Sequence, residues 1–246
     1  MRLLIAVKSC QRDKRDGAHQ AIRETWGKKP PVGFDLVFFM GGDKAPSNLE
    51  EDEFYLSTSD NYWDLHAKVA LILRYALWKD YDFTCLCDTD AYFEFPKMLK
   101  SGFENYDYSG GPQGGAGIFG KAYPAVRLED HKNIIVSPFY VYLSGHAFVI
   151  SRAATKIIVA SQDPHTMSED VWVAHALGPF IISGEITAKV LPEGVAKHLN
   201  CGYYGGGRAT THPECKFNHD APVPRENVAA AIRRKHKEVM GQKHAD

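Results

Sequence analysis

The sequence predicts an α/β protein, an open sheet flanked by helices. Short apolar runs rich in strand formers recur along the chain, and segments with apolar residues at helical spacing separate them. One run, "DFTCLC" (82–87), is apolar at nearly every position, as a strand covered on both faces must be. Strands alternating with helices imply parallel pairing through crossovers.

Taken in order, "RLLIAV" (2–7) reads as the first strand and "FDLVFFM" (34–40) as the second. Between them Ala18, Ile22 and Trp26 recur at helical spacing, and "EFYLST" (53–58) is a further candidate strand. The clearest helix follows: Leu65, Val69, Ile72 and Ala76 form one apolar face, with Asp64 where a negative charge suits the helix dipole. Lys68 sits at the edge of that buried face and needs an anionic partner. After the strand at 82–87, "GGPQGGAGIFG" (110–120) reads as a loop with unusual backbone angles or a close approach to a ligand. It lacks the spacing and the lysine of a phosphate-binding loop. "FYVYLSGHAFVIS" (139–151) is a strand interrupted at Ser144 and Gly145. Helices follow at 152–161 and 168–177, the second opened by Ser168 as N-cap with acids in its first turn. "ITAKVL" (186–191) is a late strand, and "PRENVAAAIRRKHKEV" (224–239) is a terminal helix with proline at its start. With no internal repeat and no linker-like segment, a single domain over 1–246 is the simplest account.

Composition narrows the function classes. The 246 residues carry 29 Lys plus Arg against 30 Asp plus Glu, a formal charge of −1, so no global field attracts nucleic acid or an anionic membrane. "RRKHK" (233–237) makes the C-terminal segment basic, either as a solvated helix face or as a contact for phosphates. Five cysteines do not form a disulfide framework in a chain of this length. Cys85 and Cys87 read as buried strand residues, whereas Cys201 and Cys215 flank a glycine-rich stretch as free thiols or a pair. No window approaches 18 apolar residues, and "LLIAV" is shorter than a signal-peptide apolar region. The expectation is a cytoplasmic protein, in a bacterium or in an infected host.

Ligands of open α/β sheets bind outside the carboxyl ends of the strands. Asp88 and Asp90, in "LCDTD" (86–90), fall at such an end. Two carboxylates spaced in this way make either an ordinary turn or a seat for a divalent cation.

Five segments, "AIRETW" (21–26), "DNYWDLHAK" (60–68), "CDTDAYF" (87–93), "YLSGHAFVIS" (142–151) and "SEDVW" (168–172), resemble in order and spacing the motif series of the β-1,3-galactosyltransferase and Fringe group of glycosyltransferases. The resemblance runs over about residues 1–175. It implies the GT-A fold, a Rossmann-like open mixed sheet flanked by helices. It also implies an inverting transfer from a nucleotide-sugar, a UDP-hexose, assisted by Mn²⁺ or Mg²⁺. Residues 1–110 would hold the nucleotide-sugar, 111–223 the acceptor and the catalytic groups, and 224–246 the basic helix.

Residue by residue, Asp90 would ligate the metal, and Asp88 would contact the ribose or the metal's waters. A late histidine would complete the metal's protein ligands: His219, with His212 in reserve. Lys68 matches a lysine that would meet the Asp88 region or the diphosphate. Arg23 would lie near the nucleotide or pair with an acid of the domain, and Arg12 or Arg15 would stand in for an arginine the chain lacks at Ala18 and His19. Asp170 would be the general base, oriented with the acceptor by Glu169. Gly145 and His146 match a turn that lets the donor sugar approach, and Trp172 and Tyr142 are candidate stacking surfaces. Animal members carry a membrane anchor and lumenal disulfides. This chain resembles instead the soluble relatives of bacteria and bacteriophages, whose acceptors include glycans, proteins and hydroxymethylated pyrimidines in DNA. Two other readings stay open: a metal-dependent phosphohydrolase or nucleotidyltransferase, and a non-catalytic module that binds sugar nucleotides.

Overall fold

In β1 (Leu3–Lys8) every residue is buried, so the strand can only be central. The computed structural model describes residues 1–61, 64–112, 143–161, 169–191, 195–198 and 227–242. β1 pairs in parallel with β2 (Phe34–Met40) on one side and β4 (Phe83–Asp88) on the other, and β3 (Glu53–Tyr55) extends the parallel set beyond β2. β7 (Leu143–Ser151) then pairs antiparallel with β4 and with β6 (Tyr108–Pro112), and β8 (Ala188–Val190) runs parallel to β6. The seven-stranded order is therefore β3-β2-β1-β4-β7-β6-β8, the open mixed α/β sheet expected of the GT-A fold. β5 (Ala91–Phe93) and β9 (Ala196–His198) form a separate antiparallel ribbon just past the end of β4.

Side chains alternate across a strand, so β1 feeds two cores. Leu3, Ile5 and Val7, with Cys85 and Cys87, pack on one face against α2 (Ala18–Glu24), α4 (Phe95–Lys100) and α7 (Val228–Gln242). Leu4, Ala6 and Leu86 pack on the other against α3 (Leu65–Trp78), α5 (Arg152–Ala160) and α6 (Glu169–Ile182). Each fully buried Leu, Ile or Val stabilises the fold by roughly 1.5–3 kcal/mol relative to exposure. The Ile-Arg-Glu-Thr-Trp string proves to be a fastening for α2. Ile22 and Trp26 enter the core, Trp26 against Phe93 and Phe95, while Glu24 pairs with Arg233 of α7 at 2.8 Å.

The structure amends several expected elements. β7 runs as one strand through Ser144 and Gly145, and the irregularity there takes the form of a register shift against β6, between Gly110↔Phe148 and Pro112↔Leu143. The start of the glycine-rich run is strand β6 rather than loop, and glycine is required there because a Cβ at Gly110 would lie 2.8 Å from that of Phe148. α6 continues past residue 177 and carries Pro179 internally. The helix α1 (Gln11–Arg15), α4, and the ribbon β5/β9 are short elements the periodicity did not announce. Cys10, Cys85 and Cys87 are free thiols, and burial pushes that of Cys85 up to about 12. Among the described residues no helix is long and apolar enough to cross a membrane. Tyr142, Ser168, Cys201, His212, Cys215 and His219, for which the sequence raised expectations, lie outside the described residues.

Candidate active site

The parallel register of β1 and β4 sets Lys8 beside Asp88 at the carboxyl rim of the sheet. The Lys8 side chain is fully buried, and its Nζ lies 3.0 Å from Asp88 Oδ1 and 2.7 Å from Glu169 Oε1. Burial alone would drive the ammonium toward its neutral form, but the charges and hydrogen bonds of Asp88 and Glu169 more than offset this and hold it protonated. Asp88 keeps about 30% of its side chain accessible, whereas Asp90, in the turn that follows, is buried. That turn is tied to α1, where the Thr89 hydroxyl donates to Asp13 Oδ2 at 2.8 Å.

Glu169 and Asp170 open α6, and both are buried at a helix N-terminus, where the backbone dipole favours negative charge. Asp170 Oδ1 accepts from the backbone N–H of Val171 at 2.8 Å. Across from it, burial raises the Tyr108 hydroxyl well above the usual phenol range, and the charge of Asp170 adds to the rise. The antiparallel register of β4 with β7 ends at Cys87↔Ala147, and the ladder stops one residue before Asp88 on one strand and His146 on the other. The imidazole lies against Gly111, where a Cβ would sit 3.6 Å from His146 Cε1. Gly145 lies in β7 immediately before it, and Trp172 is wholly buried in the core rather than presented as a stacking surface.

A second polar network lies next to this rim, under the loops that leave β1 and β2. Lys68 is buried as expected, but its partner is Asp60, at 2.6 Å, in place of the Asp88 region. Asp60 also accepts from the backbone of Gly41 at 2.7 Å and of Gln11 at 3.1 Å, while Lys68 donates to the Ser9 carbonyl at 2.5 Å. One ion pair thus fixes two loops. A side chain at Gly41 would collide with the carbonyl of Thr58, which is why that position carries none. Further along, Ser9 Oγ meets His19 Nε2 at 2.6 Å and His19 Nδ1 meets Glu53 Oε1 at 2.8 Å. Arg23 takes the alternative of pairing within the domain, with Asp52 at 2.5 Å and Glu53 at 2.9 Å. Burial opposes ionisation of Glu53, yet hydrogen bonds from Lys14, His19, the Glu50 backbone and Arg23 hold its carboxyl down at about 2. Arg12 lies in α1 with about half of its side chain exposed.

The fold thus brings Asp88, Asp90, His146, Glu169 and Asp170 to one rim and sets Lys68 and Arg23 in the network beside it. Sequence reasoning missed Lys8 and Asp60. A signal for Lys8 existed: it closes an apolar strand at the same sheet edge that singled out Asp88. For a cation, Asp88 and Asp90 supply hard carboxylate oxygens, the donor type that Mn²⁺ and Mg²⁺ prefer. Among the described residues no group of three His, Cys, Asp or Glu side chains stands ready to hold a metal alone. Two protein carboxylates fit an ion that also takes phosphate oxygens and water.

A sequence profile of the galactosyltransferase family matches residues 17–185, a span that includes Lys68, Asp88, Asp90, His146, Glu169 and Asp170. No curated protein matches the chain significantly. Among solved structures, a candidate nucleotide-diphospho-sugar transferase from Desulfovibrio desulfuricans G20 is 11% identical over 99% of each chain, with a TM-score of 0.47. The inositol-1-phosphate CTP transferase from T. maritima is 17% identical, covering 80% of this chain and 87% of its own, at a TM-score of 0.40. A197 from STIV is 16% identical over 80% of this chain and 85% of its own, at 0.38. All three are distant likenesses.

Proposed function

Because the chain belongs to the galactosyltransferase family, and is thus a glycosyltransferase, we propose that it moves a hexose from a UDP-sugar to an acceptor hydroxyl with inversion at the anomeric carbon. The observation that supports this reading is the meeting of Asp88 and Glu169 on one buried ammonium, which puts the end of β4 and the acid-bearing start of α6 at the same rim. Asp170 takes the proton of the acceptor hydroxyl as its oxygen attacks. Glu169, fixed by Lys8, orients that carboxylate. A Mn²⁺ or Mg²⁺ ion held by Asp88, Asp90 and a late histidine, His219 or His212, would supply Lewis-acid stabilisation of the leaving diphosphate. The loops fastened by Asp60 and Lys68 line the nucleotide side, with Arg12 at its exposed margin. Gly145 and His146 face the sugar. Residues 1–110 serve the donor, and residues 111–223 the acceptor, a glycan, a protein or a modified pyrimidine of DNA.

The test combines two variants with a screen of UDP-sugars in the presence of Mn²⁺, reading thermal stabilisation for binding and UDP release for turnover. Asp90→Ala is expected to lose metal-dependent donor binding. Asp170→Asn is expected to bind donor as wild type does and to lose at least about 10²-fold in turnover. If both variants behave like wild type, the proposal is wrong.

A further inference from the structure

We propose that Lys8 is a positioning residue for the transfer step: its ammonium fixes Glu169, and with it the start of α6 that carries Asp170, against the end of β4. The inference rests on the function proposed above. A lysine at a strand end ordinarily extends its head to water. Lys8 does the opposite, with a side chain that is fully buried and an Nζ that reaches carboxylates from two distant parts of the chain, Asp88 at 3.0 Å and Glu169 at 2.7 Å. Buried ion pairs are poor sources of stability because desolvation offsets most of the attraction, and their best-attested use is to select one geometry among several. The geometry selected here is the distance between the strand that ends in Asp88 and the helix that opens with Glu169 and Asp170. Those two pieces belong to opposite halves of the sequence, and β1 runs parallel to β4 with Lys8 level with Asp88, so a single side chain spans the junction. Once the donor and its cation occupy the rim, Asp88 has other positive charge to hold it. The loss of Lys8 is then felt mainly at Glu169, and the step that suffers is the attack, not donor binding.

The experiment compares wild type, Lys8→Met, Lys8→Arg, Glu169→Gln and the Lys8→Met/Glu169→Gln double variant. UDP-galactose with Mn²⁺ is the probe, water is the acceptor, and UDP release and donor affinity are read separately. Lys8→Met is expected to lower kcat by about 10²-fold, the cost of an ångström-scale misplacement, while donor Kd stays within about threefold. Lys8→Arg keeps the charge in a different shape and should recover part of the loss, about tenfold over Lys8→Met. If Lys8 acts through Glu169, the double variant is no slower than the slower single variant. An unchanged kcat in Lys8→Met, a loss of donor affinity that parallels the loss of kcat, or multiplying effects in the double variant would each overturn the proposal. Should Lys8→Met fail to fold, Lys8→Arg decides alone: a wild-type kcat refutes the role, and a lower kcat with unchanged donor affinity supports it. Asp170→Asn in the same assay separates the two claims, because wild-type turnover there refutes the function itself whatever Lys8 does.

Discussion

Lys68→Met removes the cation that holds together the two loops that leave β1 and β2. The Lys68 ammonium lies 2.6 Å from Asp60, with 4% of the lysine side chain and 20% of the aspartate side chain exposed. Removing one partner of a buried pair costs about 3–5 kcal/mol when the other charge is left uncompensated. Here Asp60 retains some solvent and the N–H groups of Gly41 and Gln11, which lowers the expected loss to about 2–3 kcal/mol. For a chain of this size that corresponds to a fall in Tm of roughly 5–10 °C, measurable by differential scanning fluorimetry. The Ser9 carbonyl loses its donor in the same variant, so the loop after β1 loosens and the KM for the donor should rise about tenfold. Asp60→Asn and the double variant complete a cycle in which the pair should be coupled by at least about 1 kcal/mol. A Tm within about 1 °C of wild type, or strictly additive effects, would refute the reasoning, since either result means the pair fastens nothing.

Acid should expose the role of Glu53. Its carboxyl titrates at about 2 in the fold against 4.5 as the ordinary value, so its stabilising effect is fully present above about pH 4.5 and fades as pH falls toward 2, a difference of about 3 kcal/mol at most. Chemical denaturation across that window should fall less steeply for Glu53→Gln, and parallel slopes would contradict the assignment. Tyr92→Phe removes a hydrogen bond at 2.9 Å between the β5 tyrosine and His236 of α7, a loss of about 0.5–1.5 kcal/mol. The matching fall in Tm is about 1–6 °C, and an unchanged Tm would mean that this link does not hold α7 against the ribbon.

Much of this was legible in the sequence because burial leaves a periodic trace. Leu65, Val69, Ile72 and Ala76 announced α3, and the nearly unbroken apolar run ending in Asp88 announced a central strand with its charge at the rim. Pairings between distant residues leave no such trace. Lys68 demanded an acid, but only the folded chain shows that Asp60 answers it; Lys8 gave no hint that Glu169, 161 positions later, would meet it. The break expected at Ser144 and Gly145 is a register shift between β6 and β7 rather than an end to the strand, and a shift between two strands is not written in the pattern of either one alone. The short α1, α4 and β5/β9 elements are held by what they touch rather than by any repeat of their own.

The reversal of direction between β4 and β7 has a consequence for how such a protein can diversify. β6 ends at Pro112 and β7 begins at Leu143, and the antiparallel pairings put both of those ends on the side of the sheet where β4 closes with Asp88. Three strand ends from separate parts of the chain therefore share one rim. A substitution at any of the three ends can reshape the surface around Asp88 while the hydrogen-bonded ladders behind it stay as they are.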